Sequence, residues 1–569
     1  MTAESPITKT PGPDHADLDR AVAELVAAKT DWAKTPVTAR IAILNEVRDC
    51  LTPVAAGWAE TAAQQKQIPE GSALSGEEWI SGPYALLCAC DGLLETLSKM
   101  DGKTFLSDLK SRETVSGQLA VTVLPHNTWE RLLYSGIKAE VWMEPGITSQ
   151  NLSQSTASAY DIAPDARIGK IALVLGAGNI AAIPPLDALH KLFNENQVVI
   201  LKMNPLNDYL TPFLTAALMP LIKRDALRIV KGGIETGAYL CAHPDIAEIH
   251  ITGAQTSHDA IVWGPGAQGV ANKKNGTLKL TKRVTSELGA VCPTIVVPGD
   301  WSASDIAFQA EHIATQKLHN SGFNCVACQM LILPKSWDKR DALMQAVTGV
   351  IHRSEPRGAY YPGASDRLAA FASHSDNVTR IDRGTAPACL VAPFNDGGDA
   401  WFQETEVFAP ALSTHDIDIA DPATYLKAAI AFANDNLHGT LGANILIHPA
   451  TIRAIGKKPF EAIIADLRYG CITVNGWAGM GFLLTGCTWG AFPGHTLADV
   501  QSGIGNVHNT FMFDRPERVV ITAPFRAFPR PPWFITNRRQ HTIGRLMMAF
   551  KYRPSWAKLP RIFWNALRG

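Results

Sequence analysis

The chain has few cysteines, almost no excess charge and no long apolar run, and each shortage excludes a class of protein. Its 569 residues include ten cysteines, scattered along the whole chain. They do not form the dense framework of a small disulfide-bonded domain, so a reducing compartment is the simpler expectation. The formal net charge of −1 creates no overall field that would attract nucleic acid. No apolar run reaches the ~18–20 residues of a membrane-spanning helix. We therefore expect a soluble, cytoplasmic protein that does not bind nucleic acid.

The composition is that of a globular protein with more than one folded unit. Hydrophobic residues make up 46% of the chain and charged residues 18%, which argues against general disorder. The chain is too long for one ordinary core, so two or three domains are expected. Only residues 1–15, which are polar and lack the pattern of a signal peptide, are predicted to be disordered.

Periodic patterns predict helices first and alternating strands and helices afterwards. Apolar residues recur at helical spacing from Ala16 to Leu97. From Lys170 onwards, short β-branched runs alternate with helical stretches, which predicts a parallel sheet with covering helices. The strands are expected at 171–175, 197–202, 227–234 and 246–253. The Gly-rich and Lys-containing stretch 264–278 is predicted to be a loop insertion.

Residues 137–162 differ from both patterns. An alternating stretch is followed by a turn at Pro145-Gly146 and then by a run rich in Ser, Gln and Asn. This order predicts a protruding β-hairpin, whose free edge could pair with another subunit. A plain surface loop is the alternative interpretation.

The carboxyl-terminal segment has no acidic residue after Glu517, whereas eleven Arg or Lys residues follow. From about Phe525, prolines break the chain, and apolar residues then recur at helical spacing between the basic ones. Such a basic amphipathic segment could make a peripheral contact with an anionic membrane. It could instead wrap around a neighbouring subunit or cover the mouth of a substrate site.

Three residue types that can carry chemistry follow glycine-containing turns. Cys325 could be a nucleophile, although a lone cysteine is more often a small buried hydrophobe. Glu287 could be a general base or a solvated acid. Asn179, which follows the predicted strand 171–175, could donate to an oxyanion or cap a turn. Cys325 and Cys328 form a C-x-x-C pair, but no second pair stands at metal-ligand spacing, so no metal site is expected.

These pieces together resemble the aldehyde dehydrogenase superfamily over roughly residues 16–520. Asn320–Cys325 resembles the family's N-x-G-Q-x-C signature, with Phe323 in place of Gln. Ser286–Ala290 resembles its E-L-G-G motif, and Glu406–Pro410 resembles E-I-F-G-P. Asn179 and Lys202 stand at the family's spacing. The basic extension indicates a divergent branch.

The resemblance implies an α/β fold with a Rossmann-type cofactor domain, a second α/β catalytic domain and a β-hairpin oligomerisation arm. The implied division is a cofactor domain at 16–136 and 163–286, an oligomerisation hairpin at 137–162, a catalytic domain at 287–490, a return segment at 491–525 and a basic extension at 526–569. A homodimer or homotetramer is expected.

The resemblance also implies the activity, which is oxidation of an aldehyde to a carboxylic acid with NAD or NADP. Cys325 would attack the aldehyde, Asn179 and the Cys325 backbone N–H would hold the oxyanion, and Glu287 would activate water. The implied cofactor-binding residues are Lys202, Asn204, Gly232, Gly237, Gly253, Glu406 and Phe408. Alternatives are a CoA-acylating enzyme and a non-catalytic nucleotide-binding protein.

Apolar and aromatic residues of the second half could line a substrate tunnel, although most aromatic residues belong to the core. The candidates are Trp401, Phe402, Trp477, Phe482, Leu483, Leu484 and Trp489.

Overall fold

A six-stranded sheet forms the first layer of the structure, a computed structural model that describes residues 14–395 and 397–569. Disorder was predicted for residues 1–15, and residues 1–13 of that stretch lie outside the described range. The strands, in spatial order, are Gly503–Ile504, Arg283–Leu288, Glu248–Gly253, Ile171–Leu175, Val198–Lys202 and Leu227–Val230. All neighbours are parallel except the first pair. The central strands are apolar because helices cover both faces of a parallel sheet.

An eleven-stranded sheet forms the second layer. In spatial order its strands are Lys110–Glu113, Leu119–Leu124, Lys138–Met143, Pro516–Thr522, Cys471–Val474, Gly442–Leu446, Cys292–Val296, Cys328–Pro334, Ala411–Ile417, Ala386–Phe394 and Thr379–Arg383. Its middle strands are parallel, and antiparallel strands flank them at both ends. A separate two-stranded ribbon joins Trp489–Gly490 to Asn506–Val507.

The predicted hairpin at 137–162 is wrong in its pairing. Lys138–Met143 is a strand, but its partners are Pro516–Thr522 on one side and Leu119–Leu124 on the other. Residues 144–162 contain turns, single helical turns and one isolated bridge from Thr156 to Phe513. The strand is buried from Ala139 onwards, so partners distant in sequence cover it better than a local hairpin would.

Two predicted domain boundaries also differ from the sheets. The boundary between 286 and 287 falls inside the strand Arg283–Leu288, which belongs to the six-stranded sheet. The strands at 110–124 join the large sheet and not the predicted cofactor domain. A change of sheet leaves no mark in local sequence, because both sheets use the same alternation of strands and helices.

Helices cover both sheets. Their bounds are His15–Lys34, Val37–Gln65, Gly76–Trp79, Ala85–Ser98, Thr128–Leu133, Ser158–Asp161, Ile183–Leu189, Thr211–Ala217, Met219–Ile222, Ile234–Ala242, Gln255–Val262, Gly266–Asn275, Ala303–Leu318, Arg340–Arg353, Ala364–Ser373, Trp401–Glu404, Pro422–Asn436, Pro449–Ile455, Lys457–Ala465, Gly479–Leu483, Gln540–Tyr552 and Leu559–Leu567. Among the helices of residues 14–395 and 397–569, none combines the length and apolarity needed to cross a bilayer.

The predicted loop insertion at 264–278 is wrong, because Gly266–Asn275 is a helix. Gly269 packs against the chain: a Cβ there would stand 1.7 Å from the Gly264 carbonyl oxygen. Gly276 ends the helix at a φ of 68°, which glycine adopts readily. The glycines therefore serve close packing and helix termination.

The carboxyl-terminal segment folds back onto the amino-terminal helices. The backbone of Gln540 passes so close to Gly76 that a Cβ there would stand 2.3 Å from it, and Gly544 approaches Trp79 in the same way at 2.7 Å. The Ser75 hydroxyl and the His541 Nδ1 lie 2.8 Å apart. Ile543, Met548 and Phe550 are buried. The helix Gln540–Tyr552 is thus a packed part of the fold.

Candidate functional site

Cys325 lies on a loop between the buried helix Ala303–Leu318 and the strand Cys328–Pro334. Three consecutive residues of this loop, Asn320, Ser321 and Gly322, have positive φ angles of 53°, 56° and 85°. A Cβ at Gly322 would stand 2.9 Å from the Ala409 carbonyl group. The Gly of the signature is therefore required by both backbone conformation and space. This left-handed turn directs the chain back towards Cys325.

Four buried charged residues support the loop that carries Cys325. Arg357 Nη1 contacts the Glu77 carboxylate at 2.5 Å, and Lys66 Nζ contacts Glu78 at 2.9 Å. All four are at most 3% exposed. The Asn320 backbone N–H donates to Glu77 at 3.0 Å. This charged quartet (Lys66, Glu77, Glu78 and Arg357) therefore holds the loop through a charge-assisted hydrogen bond.

The Asn179 side chain points at the cysteine loop. Its Nδ2 donates to the Phe323 carbonyl oxygen at 3.0 Å, and the Asn320 Nδ2 donates to the same oxygen at 3.0 Å. The Tyr360 hydroxyl donates to the Asn179 carbonyl oxygen at 3.0 Å. Asn179 is 7% exposed. The amide donor of Asn179 thus contacts Phe323, which is two residues before Cys325. This is where an oxyanion formed at Cys325 would need a donor.

Glu287 stands next to the Cys325 thiol at the carboxyl end of its strand and is 3% exposed. Burial raises the pKa of Glu287 to about 7, against the lowering effect of a hydrogen bond with Cys325. Burial, together with the adjacent Glu287 charge, raises the pKa of Cys325 well above its ordinary value. At neutral pH the resting cysteine is therefore a thiol, and Glu287 is the adjacent group that can take its proton.

Glu406 reaches the same region from the opposite side. A Cβ at Gly289 would stand 1.9 Å from its Oε2, so the Gly after Glu287-Leu288 leaves room for this carboxylate. Burial, followed by the Glu287 charge, raises the pKa of Glu406 to about 8. Its Oε1 is buried without a hydrogen-bond partner, which leaves an acceptor for a ligand.

A cleft of about 1050 Å³ joins most of the predicted site residues. It lies at the carboxyl ends of the strands Ile171–Leu175 and Val198–Lys202, where ligands of open parallel sheets bind. The predicted residues in its wall are Cys325, Glu287, Asn179, Lys202, Asn204, Gly237, Gly253, Glu406 and Phe408.

Gly232 does not line the cleft. Its φ is 133°, and a Cβ there would stand 2.2 Å from the Thr236 hydroxyl. The glycine is needed for backbone conformation and close packing, and its neighbour Gly233 faces the cleft instead. Gly232, which was predicted to bind the cofactor, thus lies one residue before the cleft wall.

A second, small pocket of about 40 Å³ lies on the other side of Cys325. Its wall includes four of the predicted tunnel residues: Trp477, Phe482, Leu483 and Trp489. Leu484 lines a different cavity. The tunnel prediction is wrong for Trp401 and Phe402, which pack around Phe371 with centroid distances of 6.1 and 5.1 Å. Cys325 therefore stands between a large cleft and a small apolar pocket.

Sequence reasoning missed the charged quartet, whereas covering the mouth of a substrate site was one of the alternatives that it left open for the carboxyl-terminal segment. A signal for the quartet was available, because Glu77 and Glu78 are the sole charged residues between Gly71 and Cys90, and buried acids need partners. Trp533 and Gln540, from beyond the family-like region, line the small pocket. Nothing in their local sequence indicates this position.

Comparisons with known proteins agree with the motifs. Residues 190–353 match the model of the aldehyde dehydrogenase family. A curated relative, the aminoacetaldehyde dehydrogenase of Pseudomonas aeruginosa, is 26% identical over 261 residues. The match covers 43% of this chain and 46% of the relative, so it spans about half of that protein.

Solved structures show the same fold. The NAD+ complex of an aldehyde dehydrogenase from Mycobacterium tuberculosis superposes with a TM-score of 0.59 at 17% identity, covering 91% of this chain and 92% of that one. KauB, an aldehyde dehydrogenase from Pseudomonas aeruginosa, gives 0.60 at 16% identity and covers 90% of both chains. An aldehyde dehydrogenase C variant from Pseudomonas syringae, solved with NAD+ and octanal, gives 0.58 at 17% identity and covers 90% of this chain and 89% of that one.

Proposed function

We propose that the chain belongs to the aldehyde dehydrogenase superfamily, which the family match at residues 190–353 and the shared fold support, and that it oxidises an aldehyde to a carboxylic acid with NAD or NADP. One observation carries the proposal: Cys325 stands beside Glu287 and close to the Asn179 amide, between a nucleotide-sized cleft and an apolar pocket.

The residues of the cleft are suited to a dinucleotide. Gly176, Gly178 and Gly233 bring backbone to the cleft wall, where it can approach a pyrophosphate. Lys202 and the unpaired Glu406 Oε1 can bind ribose hydroxyls, and Phe408 can pack beside the nicotinamide. The residue three positions after Lys202 is Pro205, not an acid. A 2′-phosphate would meet no carboxylate at that position, so the proposal includes both NAD and NADP.

The first chemical step uses Glu287 and Cys325 as a proton-transfer pair. Glu287 takes the thiol proton, and the sulfur forms a bond to the aldehyde carbon. The carbonyl π electrons move to oxygen, and the Asn179 Nδ2 and the Cys325 backbone N–H hold the resulting anion. A bound cofactor would supply the acceptor for the hydride that leaves this carbon. The product on Cys325 is a thioester.

The second step releases the acid. Glu287 first releases the thiol proton to solvent, and it then takes a proton from the water whose oxygen attacks the thioester carbon. The C–S bond breaks, and the sulfur recovers a proton. The same carboxylate thus serves twice, which agrees with its place next to Cys325.

Transfer to CoA is the competing outcome. A buried carboxylate with a pKa near 7 beside the cysteine favours water, because a thioester destined for a thiol needs no such base. A non-catalytic nucleotide-binding role is weakened by the convergence of Asn179, Glu287 and Cys325 on one point.

A homodimer or homotetramer is part of the proposal. The strand Lys110–Glu113 ends the large sheet, and all four of its residues are exposed. Such an edge offers unpaired backbone groups to a second copy. Light scattering of the purified protein tests this point, and a monomer at micromolar concentration would remove it.

Cys325→Ala is the direct test of the proposed activity. We expect it to lower the rate of reduced-cofactor formation with a good aldehyde roughly a thousandfold or more, because no other group can form the thioester. Cys328→Ala, at a buried cysteine three residues away, is the matched control and should retain most activity. The assay is run with NAD and NADP separately, and with and without CoA. Retained turnover in Cys325→Ala would contradict the proposal, and a strict need for CoA would favour the acylating alternative.

A further inference from the structure

The small pocket beside Cys325 contains a polar side chain that no residue of the described ranges, 14–395 and 397–569, satisfies. Gln540 is 0% exposed, and neither its Oε1 nor its Nε2 has a hydrogen-bond partner. It lines the pocket together with the apolar side chains of Ile80, Ile183 and Trp477. Buried polar groups nearly always have partners, so an unpaired amide in the wall of a cavity indicates a ligand group that supplies the missing bonds.

The position of Gln540 is fixed by its surroundings. It begins the helix Gln540–Tyr552, and its backbone lies against Gly76, where no Cβ would fit. The next residue, His541, contacts the Ser75 hydroxyl at 2.8 Å. The amide is therefore held in the pocket wall by backbone packing and does not need to move to meet a ligand.

A second unpaired atom lies in the same wall. Glu77 lines the pocket, and its Oε1 is buried without a partner, whereas its Oε2 holds Arg357 and the Asn320 N–H. Although burial acts to raise the pKa of Glu77, His319, Arg357 and the Asn320 N–H bring it below the ordinary value. The wall thus offers an acceptor from Glu77 and both a donor and an acceptor from Gln540.

We propose that Gln540 is a specificity-determining residue for short aldehydes that carry a hydroxyl group. The proposal rests on the proposed function and names its substrate class. The aldehyde carbon meets Cys325, the carbon chain lies against the apolar wall, and the hydroxyl accepts from the Gln540 Nε2 and donates to the Glu77 Oε1. A hydroxyl group satisfies a donor and an acceptor at once, whereas a methyl group leaves both unpaired.

The size of the pocket supports a short substrate. Its volume is about 40 Å³, and a single water needs ~10–15 Å³ on that measure. The pocket therefore holds about three water-sized groups in addition to the carbonyl at Cys325. Trp533 and Gln540 close it from the carboxyl-terminal segment, so a long aliphatic chain would have to displace that segment.

The test compares isosteric substrate pairs: glycolaldehyde with propanal, and 3-hydroxypropanal with butanal. We expect the wild-type kcat/KM to favour the hydroxylated member by about tenfold or more in the pair whose length suits the pocket. Gln540→Met keeps the length of the side chain and removes its hydrogen bonds. It should abolish this preference and raise kcat/KM for the alkanal, which then no longer buries an unpaired amide. Arg545→Met, at an exposed position of the same helix, should change neither value.

Binding without turnover separates this inference from the proposed function. In Cys325→Ala, the hydroxy acid 3-hydroxypropanoate should bind more tightly than butanoate, and Gln540→Met should remove the difference. Such a result with no oxidation of any aldehyde by the wild type would overturn only the proposed function. If kcat/KM were equal within each pair and Gln540→Met did not change it, the inference would be overturned. The Gln540 amide would then be a group that binds water. A preference for 3-aminopropanal over 3-hydroxypropanal would also overturn it.

A different observation, at the end of the same segment, carries a second inference. Trp556, Phe563, Trp564 and Leu567 are between 37% and 63% exposed. Arg553, Arg561 and Arg568 are also exposed. We call these four apolar side chains and three arginines the aromatic patch. Residues 518–569 contain no acidic residue, so the patch has no negative charge of its own segment beside it.

We infer that this patch docks on an anionic membrane surface. The helix Leu559–Leu567 buries Leu559 and Ile562 against the protein and turns Phe563, Trp564 and Leu567 outwards. Tryptophan favours the level of lipid headgroups, and arginine is attracted by anionic lipids. An acidic protein would supply the charge but not the apolar layer that these side chains need.

Vesicle co-sedimentation tests the docking. The wild-type protein should bind vesicles of phosphatidylcholine with 30% phosphatidylserine and bind pure phosphatidylcholine at least tenfold more weakly, and 0.5 M salt should weaken the former. The exposed pair Trp564→Gln with Leu567→Gln should lower binding about tenfold or more. Ile168→Gln, at a site that is 81% exposed elsewhere, is the control. No binding to either vesicle, or loss of a dimer in the pair variant without any loss of vesicle binding, would overturn the inference.

Discussion

The carboxyl group of Glu287 is buried and lies beside the Cys325 thiol. Burial raises its pKa to about 7, so the group changes charge within the physiological range. Above this pH it is a carboxylate and can accept a proton; below it the acid is neutral and cannot. Both proposed proton transfers therefore depend on the same titration.

The first residue-scale prediction is a rise of kcat with pH. The rate should increase through an apparent pKa near 7 and level off above it, because the ionised Glu287 is the active form. Steady-state rates at saturating aldehyde and cofactor between pH 5.5 and 9 measure this. Glu287→Gln should lose the ascending limb together with most of the rate. A profile that is flat between pH 6 and 8 in the wild type would count against Glu287 as the base.

The second residue-scale prediction concerns Gly289, where a Cβ would stand 1.9 Å from the Glu406 carboxylate. Gly289→Ala should displace Glu406 and raise the KM for the cofactor about tenfold, because the proposed ribose contact is lost. Cofactor titrations at saturating aldehyde measure it. A double-mutant cycle supplies the control: in a Glu406→Ala background, Gly289→Ala should add little. Equal effects in both backgrounds would mean that Gly289 acts independently of Glu406.

At the scale of elements, the loop that carries Cys325 depends on segments far away in the chain. The charged quartet links residues 66–78 to Arg357 and, through the Asn320 N–H, to the left-handed turn before the cysteine. A buried ion pair is not itself strong evidence of stability, but breaking one leaves an uncompensated charge.

Arg357→Met should therefore destabilise the protein by ~3–5 kcal/mol, because Glu77 and Glu78 lose a buried partner. It should also lower the rate at Cys325, since the Asn320 contact shifts. Thermal or urea unfolding measures the first effect, and the acylation rate measures the second. The exposed Arg353→Met, four residues earlier, should be near neutral. An Arg357→Met protein as stable as the wild type would show that the ion pairs of the charged quartet make no net contribution to the free energy of unfolding.

The element scale also separates what sequence could predict from what it could not. The strands Ile171–Leu175, Val198–Lys202 and Glu248–Gly253 were predicted closely, because their periodicity is local. The helix Gly266–Asn275 was predicted as a loop because glycines indicate a flexible chain. Gly269 instead allows close packing against Gly264. Local sequence does not say whether a glycine frees the chain or lets another chain approach.

At the scale of the whole molecule, the strand Lys138–Met143 could not be placed from its own sequence. Its partners lie at 119–124 and 516–522, and pairing over such distances is set by how the whole sheet closes. The same holds for Gln540, whose place beside Cys325 follows from the packing of Gly76 and Gly544. Catalytic candidates were found from motifs, whereas residues that shape the pocket came from tertiary structure.

In the whole molecule the Cys325 sulfur lies between the large cleft and the small pocket. A covalent intermediate trapped on this sulfur tests the proposed chemistry most directly. In Glu287→Gln, mixed with cofactor and a good aldehyde, we expect one slow turnover that ends at about one reduced cofactor per active site, because solvent instead of Glu287 must take the thiol proton. Peptide mass spectrometry should then find the acyl group on Cys325, because the thioester forms but water is not activated. Reduced cofactor in the same amount with no adduct on Cys325, or with the acyl group on another cysteine, would contradict the account.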